Sequence, residues 1–393
     1  MIALLVALLG IAHAGVTLVP TPVEDPGHKG LVRWFEALSR GGVARAIQYG
    51  DSTIAADGFT RTVRDRLTTR FGDAGPGFVT ASFDGRWHKR SDIESSKSGE
   101  WSLKTILLGG AGGRYGLGGI VGIAPGGASV TARAVKAETA QAMKHLEVWY
   151  QAGAGYGTFW AKTDDKEVAR QSAVAAATED RRFVLDVPGG FTTVKFGAAG
   201  GPVPFYGVVL ETGTPGATWE ALGVVGVGSK SFTTFAKDKL ADQVALRKPD
   251  LIVVMLGGNE AGYPILVGNG GAGYTPIFQG ALDVIRAGAP QASCLVVSPL
   301  DQGFVDEADG VAKSRPGMTN LVARQREVAL ASGCAFWSTW AAMGGKGSAI
   351  TWASARGIGT GDYVHVTAKG LELLGNALAD SLLSSYDSWK AGK

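Results

Sequence analysis

The sequence has little of the chemistry that metal centres and redox sites require. Its 393 residues include two cysteines and five histidines, and the histidines show no metal-ligand spacing: His13, His28, His88, His145 and His365. Charge of one sign is also scarce, because the formal net charge is +3 and lysine and arginine form no local cluster. We therefore expect no metal, no cofactor and no nucleic-acid partner. Nothing in the sequence indicates an obligate protein partner.

Long apolar runs are missing after the N-terminus. Residues Ile2 to Ile11 are apolar and precede Ala12-His13-Ala14, a small-x-small cleavage pattern, so residues 1–14 are predicted to be a signal peptide. The run is well short of the roughly 20 residues that a membrane span needs. No lysine or arginine precedes it, which leaves a buried first strand or a misassigned start codon as alternatives. We expect an exported protein, periplasmic or extracellular, without stable membrane insertion.

The two cysteines occupy equivalent positions in the pattern. Cys294 begins the apolar run CLVVSP, and Cys334 begins the run CAFWST. If these runs are neighbouring parallel strands, the thiols lie close together, and export would permit a disulfide. Two buried free thiols fit the pattern equally well, so both alternatives stay open. Neither cysteine is expected to be catalytic, because no base lies near it in sequence.

The order of elements predicts an α/β fold that is interrupted once. A strand over 43–49 and a helix over Thr60–Phe71 come first. From about Phe83 to Glu211 the chain has short alternating stretches typical of antiparallel strands, with ambiguous helical patterns over 137–144 and 165–177. After Trp219, helices and strands alternate again: helices 232–246, 276–288, 319–331 and 367–385, and strands 251–256, 294–298 and 335–338.

This alternation of strands and helices indicates a doubly wound, mainly parallel sheet, because strands that alternate with helices are joined by right-handed crossovers. The predicted catalytic domain is discontinuous, with parts at 31–82 and 216–393. A β-rich domain at 83–215 is inserted between them. The carboxyl ends of the parallel strands should carry the site.

Four short motifs carry the candidate chemistry. Ser52 follows the first strand in Gly50-Asp51-Ser52, and Asp362 and His365 lie three residues apart before the last helix. A serine, a histidine with a carboxylate, and hydrogen-bond donors for an oxyanion are what acyl transfer through a serine ester requires. The candidate donors are the backbone N–H groups of Ser52 and Gly226 and the side chain of Asn259. Each motif has an ordinary alternative, such as a helix-capping serine, a solvated histidine or a turn glycine.

The motifs together resemble the SGNH (GDSL-like) hydrolase superfamily, and within it the peptidoglycan O-acetylesterase and O-acetyltransferase-like group. The phrases that carry the resemblance are QYGDSTIAADGFTRTVRDRL, FGDAGPGFV, PVPFYGVVLETGTPGATWEALGVVG, VVMLGGNEAG, AAMGGKGSAITW and GDYVHVTAKGLELLGNALADSLL. The segment from about Gly85 to Ala198 matches more loosely. Two positions depart from that group: Val225 stands where asparagine often precedes the glycine, and Thr53 stands where many relatives carry histidine.

The resemblance implies a flavodoxin-like catalytic domain with a carbohydrate-binding-like β-sandwich insertion. It also implies Ser52 as nucleophile, His365 as general base and Asp362 as its partner, with Gly226 competing against Gly223 and Gly228 for its role. Asp301 and Trp352 are weaker candidates for substrate contact.

The expected activity is that of an exported serine esterase acting on an O-acetylated, peptidoglycan-like glycan. A transferase, a glycan-binding protein without activity and a lipase-like enzyme for long acyl chains are the alternatives.

Overall fold

The computed structural model describes residues 12–13, 15–83, 85–236 and 238–392. The predicted signal peptide therefore lies almost wholly outside the described residues, and the structure does not test it. Residues Ala12–His13 form a short antiparallel pair with Val16–Thr17. No helix in the described part of the chain combines the length and apolarity needed to cross a membrane.

A five-stranded parallel sheet forms the centre of the catalytic part. Its strands lie side by side in the order Gly216–Gly223, Val43–Gly50, Leu251–Met255, Ser293–Val297 and Ala335–Trp337. In chain order this is 2-1-3-4-5, the flavodoxin-like arrangement. The predicted doubly wound parallel sheet is confirmed.

Helices cover both faces of this sheet because its strands are apolar on both sides. One face packs against Val32–Ser39, Gly58–Phe71 and Ala368–Ala391, and the other against Lys239–Arg247, Thr275–Arg286 and Met318–Ala331. Shorter helices are Ser52–Ala55, Ala137–Gln141, Pro264–Val267, Thr339–Ala342 and Ser348–Ser354. The 3-10 turns are Pro26–His28, Ser229–Thr234 and Asn269–Gly271.

The predicted helix 232–246 is the one clear error among these helices. Its first part is the 3-10 turn Ser229–Thr234, in which Thr233 and Thr234 donate their hydroxyls to carbonyls three residues earlier. Such local bonds compete with the helical ladder. Asp238 then has a left-handed backbone, with φ of 63°, so the α-helix begins only at Lys239.

The inserted region forms two antiparallel sheets that pack face to face. One consists of Lys166–Ser172, Thr158–Thr163, Val194–Ala199, Ser129–Ala134 and Ile93–Ser98, in that order. The other consists of Glu179–Asp186, His145–Ala152, Val203–Glu211, Ile120–Ala124 and Ser102–Thr105, with Gly77–Thr80 also paired to Val203–Glu211. A small separate pair joins Gly303–Val305 to Ala312–Ser314.

Two of these strands differ from the sequence prediction. Gly77–Thr80 belongs to the sheet of the insertion, although it lies before the predicted boundary at 82/83. The segment 165–177, whose pattern also fitted a helix, contains the strand Lys166–Ser172. The β-rich, sandwich-like character of the insertion is confirmed.

The cysteines Cys294 and Cys334 form a disulfide, with 4.6 Å between their Cα atoms. Their strands are hydrogen-bonded neighbours in which Leu295 lies opposite Ala335. The parallel register therefore brings the two thiols together. This resolves the alternative that the sequence left open.

Candidate active site

Ser52 lies where the order of strands in the sheet reverses. Strand Val43–Gly50 runs between the other two strands of the site, and Gly50 is opposite both Gly223 and Met255. Asp51 then caps the short helix Ser52–Ala55, accepting a hydrogen bond from the Thr53 N–H at 2.9 Å. Crevices at such reversal points bind ligands in open α/β sheets. The chain thus presents Ser52 at the usual place for a site.

Ser52, His365 and Asp362 form a continuous line of hydrogen-bonding groups. The Ser52 Oγ is 3.2 Å from His365 Nε2, and His365 Nδ1 is 2.7 Å from Asp362 Oδ2. A carboxylate oxygen can only accept, so Nδ1 carries the proton of the neutral imidazole. Nε2 is then free to accept the proton of the serine hydroxyl. This is the arrangement by which a histidine activates a serine.

The loop around Asp362 keeps this carboxylate ionised and in place. Its Oδ1 accepts hydrogen bonds from the Thr360 hydroxyl at 2.6 Å and from the N–H groups of Val364 and His365, each at 2.9 Å. Partial burial alone would raise the pKa of Asp362, but these hydrogen bonds together hold it well below its ordinary value. Tyr363 has a left-handed backbone, with φ of 59°, and this turn brings the side chains of Asp362 and His365 to the same side of the loop.

The side chain of Asn259 is fixed by one of its two amide hydrogens. Its Nδ2 donates to the Val227 carbonyl at 2.8 Å. Since an amide nitrogen carries two hydrogens, the second stays available for a ligand. Asn259 also lines the same small pocket as Ser52 and His365. The structure therefore brings the predicted amide donor to the serine.

Gly226 sits on a turn that follows the strand Gly216–Gly223. Its φ of 82° is left-handed, which favours glycine. No described residue accepts a hydrogen bond from its N–H, whereas the Gly228 N–H donates to Ser231 Oγ at 3.4 Å. Gly223 instead packs directly on the Ser52 helix, since a Cβ there would come within 2.3 Å of the Ala55 nitrogen. Gly226 is thus the best placed of the three candidate glycines to donate to a ligand.

A small pocket of about 50 Å³ opens beside Ser52. Sequence reasoning missed part of its wall, which is formed by Met255, Pro299, Leu300, Gln302 and Val364. The Gln302 side chain donates to the Gly258 carbonyl at 3.0 Å, which ties this wall to the Asn259 turn. Pro299, Leu300 and Gln302 follow the strand Ser293–Val297, and their position after a strand end was the signal available in the sequence.

Comparison with known proteins agrees with this geometry. The profile of the GDSL-like lipase/acylhydrolase family matches residues 190–373, a range that contains Gly226, Asn259, Asp362 and His365. Residues 190–373 therefore resemble the GDSL-like lipase/acylhydrolase family, whereas Ser52 lies outside the matched range. The protein is a carboxylic-ester hydrolase, and the predicted SGNH resemblance is confirmed.

A solved structure of a peptidoglycan O-acetylesterase has the same fold as this hydrolase. The TM-score is 0.76 at 23% identity, covering 91% of this chain and 96% of that chain. The salicylyl-acyltransferase SsfX3 from a tetracycline biosynthetic pathway has a TM-score of 0.32 at 13% identity, over 78% of this chain and 96% of that one. A family two carbohydrate esterase from Clostridium thermocellum has a TM-score of 0.30 at 12% identity, over 67% and 94%. No curated protein matches the hydrolase.

The structure does not support the predicted substrate contacts of Asp301 and Trp352. Asp301 is buried, and its oxygens accept from Trp340 Nε1 at 3.0 Å and from the N–H groups of Gly347 and Ala349 at 3.0 and 2.9 Å. Trp352 is also buried, and its Nε1 donates to the Met343 carbonyl at 3.0 Å. Both residues hold the loop around helix Ser348–Ser354 in place, and Leu300 and Gln302, the chain neighbours of Asp301, line the pocket instead.

Two further carboxylates lie beneath the site. Asp51 and Glu260 are buried, and burial raises the pKa of each. Glu260 accepts a hydrogen bond from the Ser229 N–H and so links the Asn259 turn to the residues after Gly228. Among the described residues, no group of three histidine, cysteine or acidic side chains is arranged to hold a metal ion.

Proposed function

We propose that the hydrolase is an exported esterase that removes O-acetyl groups from a cell-wall glycan, with peptidoglycan as the polymer, through an acetyl-Ser52 intermediate. One observation carries this proposal. Ser52 Oγ lies within hydrogen-bonding distance of His365 Nε2, and His365 Nδ1 bonds to Asp362, at the edge of a small pocket.

The reaction begins when Ser52 attacks the ester carbonyl. As the new C–O bond forms, the hydroxyl proton moves to His365 Nε2. The ionised Asp362 stabilises the resulting imidazolium through its bond to Nδ1. The carbonyl oxygen becomes an oxyanion, and the N–H groups of Ser52 and Gly226 and the amide of Asn259 are the donors proposed to stabilise it.

Collapse of this intermediate breaks the bond to the sugar oxygen. His365 gives its proton to that oxygen, and the deacetylated glycan hydroxyl leaves. Water then attacks acetyl-Ser52, giving a proton to Nε2, and the second collapse releases acetate and restores the serine. The cycle needs no group other than those present in the chain and water.

The size of the pocket favours a short acyl group. Its volume of about 50 Å³ is far below the roughly 300–1,000 Å³ that is usual for pockets of drug-sized ligands. Met255, Pro299 and Leu300 supply an apolar wall for a methyl group. A pocket of this volume is too small to enclose a long acyl chain.

A polymer can reach the site because the catalytic loop lies at the surface. The side chains of Asp362 and His365 are each 50% exposed. The fold shared with a peptidoglycan O-acetylesterase supports peptidoglycan as the glycan, and the apolar N-terminal run supports export to where that polymer lies.

The proposal is tested by acetate release from purified O-acetylated peptidoglycan, with the wild type beside Ser52→Ala. We expect release by the wild type and its loss in the variant, with both proteins equally folded. Acetate release that persists in Ser52→Ala would contradict the nucleophile assignment.

If the protein releases no acetate from peptidoglycan, further assays distinguish the remaining candidate functions. Hydrolysis of 4-nitrophenyl acetate without release from peptidoglycan would reject the proposed polymer. Transfer of acetyl to an added glycan in preference to water would identify a transferase. Binding of glycan without any ester cleavage would identify a binding protein.

A further inference from the structure

One segment of the inserted region is hydrogen-bonded to residues that flank both backbone donors of the proposed oxyanion hole, Ser52 and Gly226. This segment, residues 87–91, lies between strands Gly77–Thr80 and Ile93–Ser98 and is called the bridging segment below. It is continuous with the insertion, and the Arg90 side chain bonds to the Pro76 and Phe78 carbonyls there. The other four residues of the segment form hydrogen bonds to the catalytic part.

On the nucleophile side, the bridging segment holds the end of the Ser52 helix. The Lys89 N–H donates to the Ala55 carbonyl at 2.8 Å. The N–H and hydroxyl of Ser91 both donate to Asp57 Oδ2, at 2.7 and 2.6 Å. Asp57 immediately precedes the helix Gly58–Phe71, and its Oδ1 accepts a hydrogen bond from Arg64 at 2.7 Å.

On the opposite side, the bridging segment holds the Gly226 turn. The Trp87 carbonyl accepts from the Val225 N–H at 3.2 Å, and His88 Nδ1 lies 3.0 Å from the Gly223 carbonyl. Asn259 binds the Val227 carbonyl on the far side of Gly226. The free N–H of Gly226 is therefore set between anchored neighbours.

The chemistry of His88 is defined by its single partner. A carbonyl oxygen can only accept, so Nδ1 carries the proton and donates it to Gly223. The ring is 3% exposed, and its Nε2 has no hydrogen-bond partner among the described residues. Burial, together with the nearby Arg90 guanidinium, lowers the pKa of His88 to about 4, so the ring is neutral at neutral pH.

We propose that His88 is a positioning residue for ester hydrolysis: by holding the Gly223 carbonyl, it sets the Gly226 N–H against the oxyanion that forms at Ser52. The inserted region thereby takes part in the geometry of the reaction. This inference rests on the proposed function, because it needs the oxyanion hole to act. Catalytic donors lose much of their effect when they are displaced by about 1 Å.

A pair of amide variants tests this role. In His88→Asn the amide nitrogen takes the place of Nδ1 and can still donate to Gly223, whereas in His88→Gln it takes the place of Nε2 and cannot. We expect His88→Gln to lower kcat for 4-nitrophenyl acetate by roughly 10- to 100-fold with KM little changed. His88→Asn should stay within about threefold of the wild type, on the same reasoning about donor placement.

Two outcomes would overturn the inference while leaving the esterase intact. The first is wild-type kcat in both variants. The second is an equal loss of kcat in both, together with equal losses of unfolding midpoint, which would show only a packing role. A wild type inactive on every ester would instead reject the proposed function itself.

Discussion

The side-chain amide of Asn259 has two tasks at the residue scale. One hydrogen holds the Val227 carbonyl, and the second is available in the Ser52 pocket. A single substitution therefore removes an oxyanion donor and loosens the turn that carries another donor.

We predict that Asn259→Ala lowers kcat by about 10²–10³ with a small change in KM, because the lost donor acts in the transition state. Steady-state kinetics with a small acetyl ester measure this. Asn376→Ala is the control: Asn376 lies on the last helix, where its Oδ1 accepts a hydrogen bond from Arg66, and its loss should leave kcat unchanged. Equal kinetics in the two variants would remove Asn259 from the site.

The positions of most residues in the candidate site could be predicted, because the signals are local. Ser52, Asn259 and the pair Asp362 and His365 each follow a strand end or precede a helix, so sequence position alone places them near one another. Asp301 has the same kind of position but is turned inward to hold Gly347 and Ala349. His88 had no local signal, because its partner Gly223 is 135 residues away.

At the scale of elements, four of the five central strands could be predicted to within a residue or two, but the strand Gly216–Gly223 was not predicted. The apolar runs of the four predicted strands are short and clearly bounded, as in strand Leu251–Met255. The strand Lys166–Ser172 shows the limit of prediction from local sequence. Its alanine-rich surroundings also fitted a helix, but the segment is a strand because it pairs with Thr158–Thr163. Such tertiary pairing overrides local propensity.

The disulfide between Cys294 and Cys334 belongs to this scale because it joins two neighbouring strands. Its cysteines are 40 residues apart. They lie near the amino ends of their strands, whereas the site is at the carboxyl ends.

We predict that the double variant Cys294→Ala/Cys334→Ala loses about 2–4 kcal/mol in free energy of unfolding, because the open chain regains loop entropy. Its kcat should stay near that of the wild type. Urea unfolding and ester kinetics check both statements. Lost activity at unchanged stability would contradict this separation of stability from chemistry.

At the scale of the whole molecule, the insertion and the catalytic part share one interior. Phe78 and Trp149 of the insertion lie in the same apolar cluster as Ile47 and Leu222 of the central sheet. A buried ionic group also crosses the junction: Glu211 pairs with Arg247 at 2.6 Å and with Arg45 at 2.7 Å. The sequence predicted an insertion but gave no sign of how closely it is joined.

We predict that Glu211→Ala lowers the free energy of unfolding by about 3–5 kcal/mol, because it leaves the buried Arg247 without one of its partners. Although burial raises the pKa of Glu211, the two guanidinium groups lower it to about 2, so the carboxylate is charged at neutral pH. Urea unfolding measures the loss.

The matched control is Glu94→Ala, which removes a pair with Arg133 on the surface of the same insertion. Exposed pairs contribute about 0–1 kcal/mol, so we expect little change. Equal effects of the two substitutions would contradict the shared interior.

The central claim is that the geometry around Ser52 makes it an activated nucleophile. The most direct measurement is covalent labelling with a short-chain fluorophosphonate, followed by mass spectrometry of the peptides. We predict one adduct, on Ser52, which is absent in Ser52→Ala and forms much more slowly in His365→Ala. No adduct in the folded wild type, or an adduct on another serine, would contradict the account.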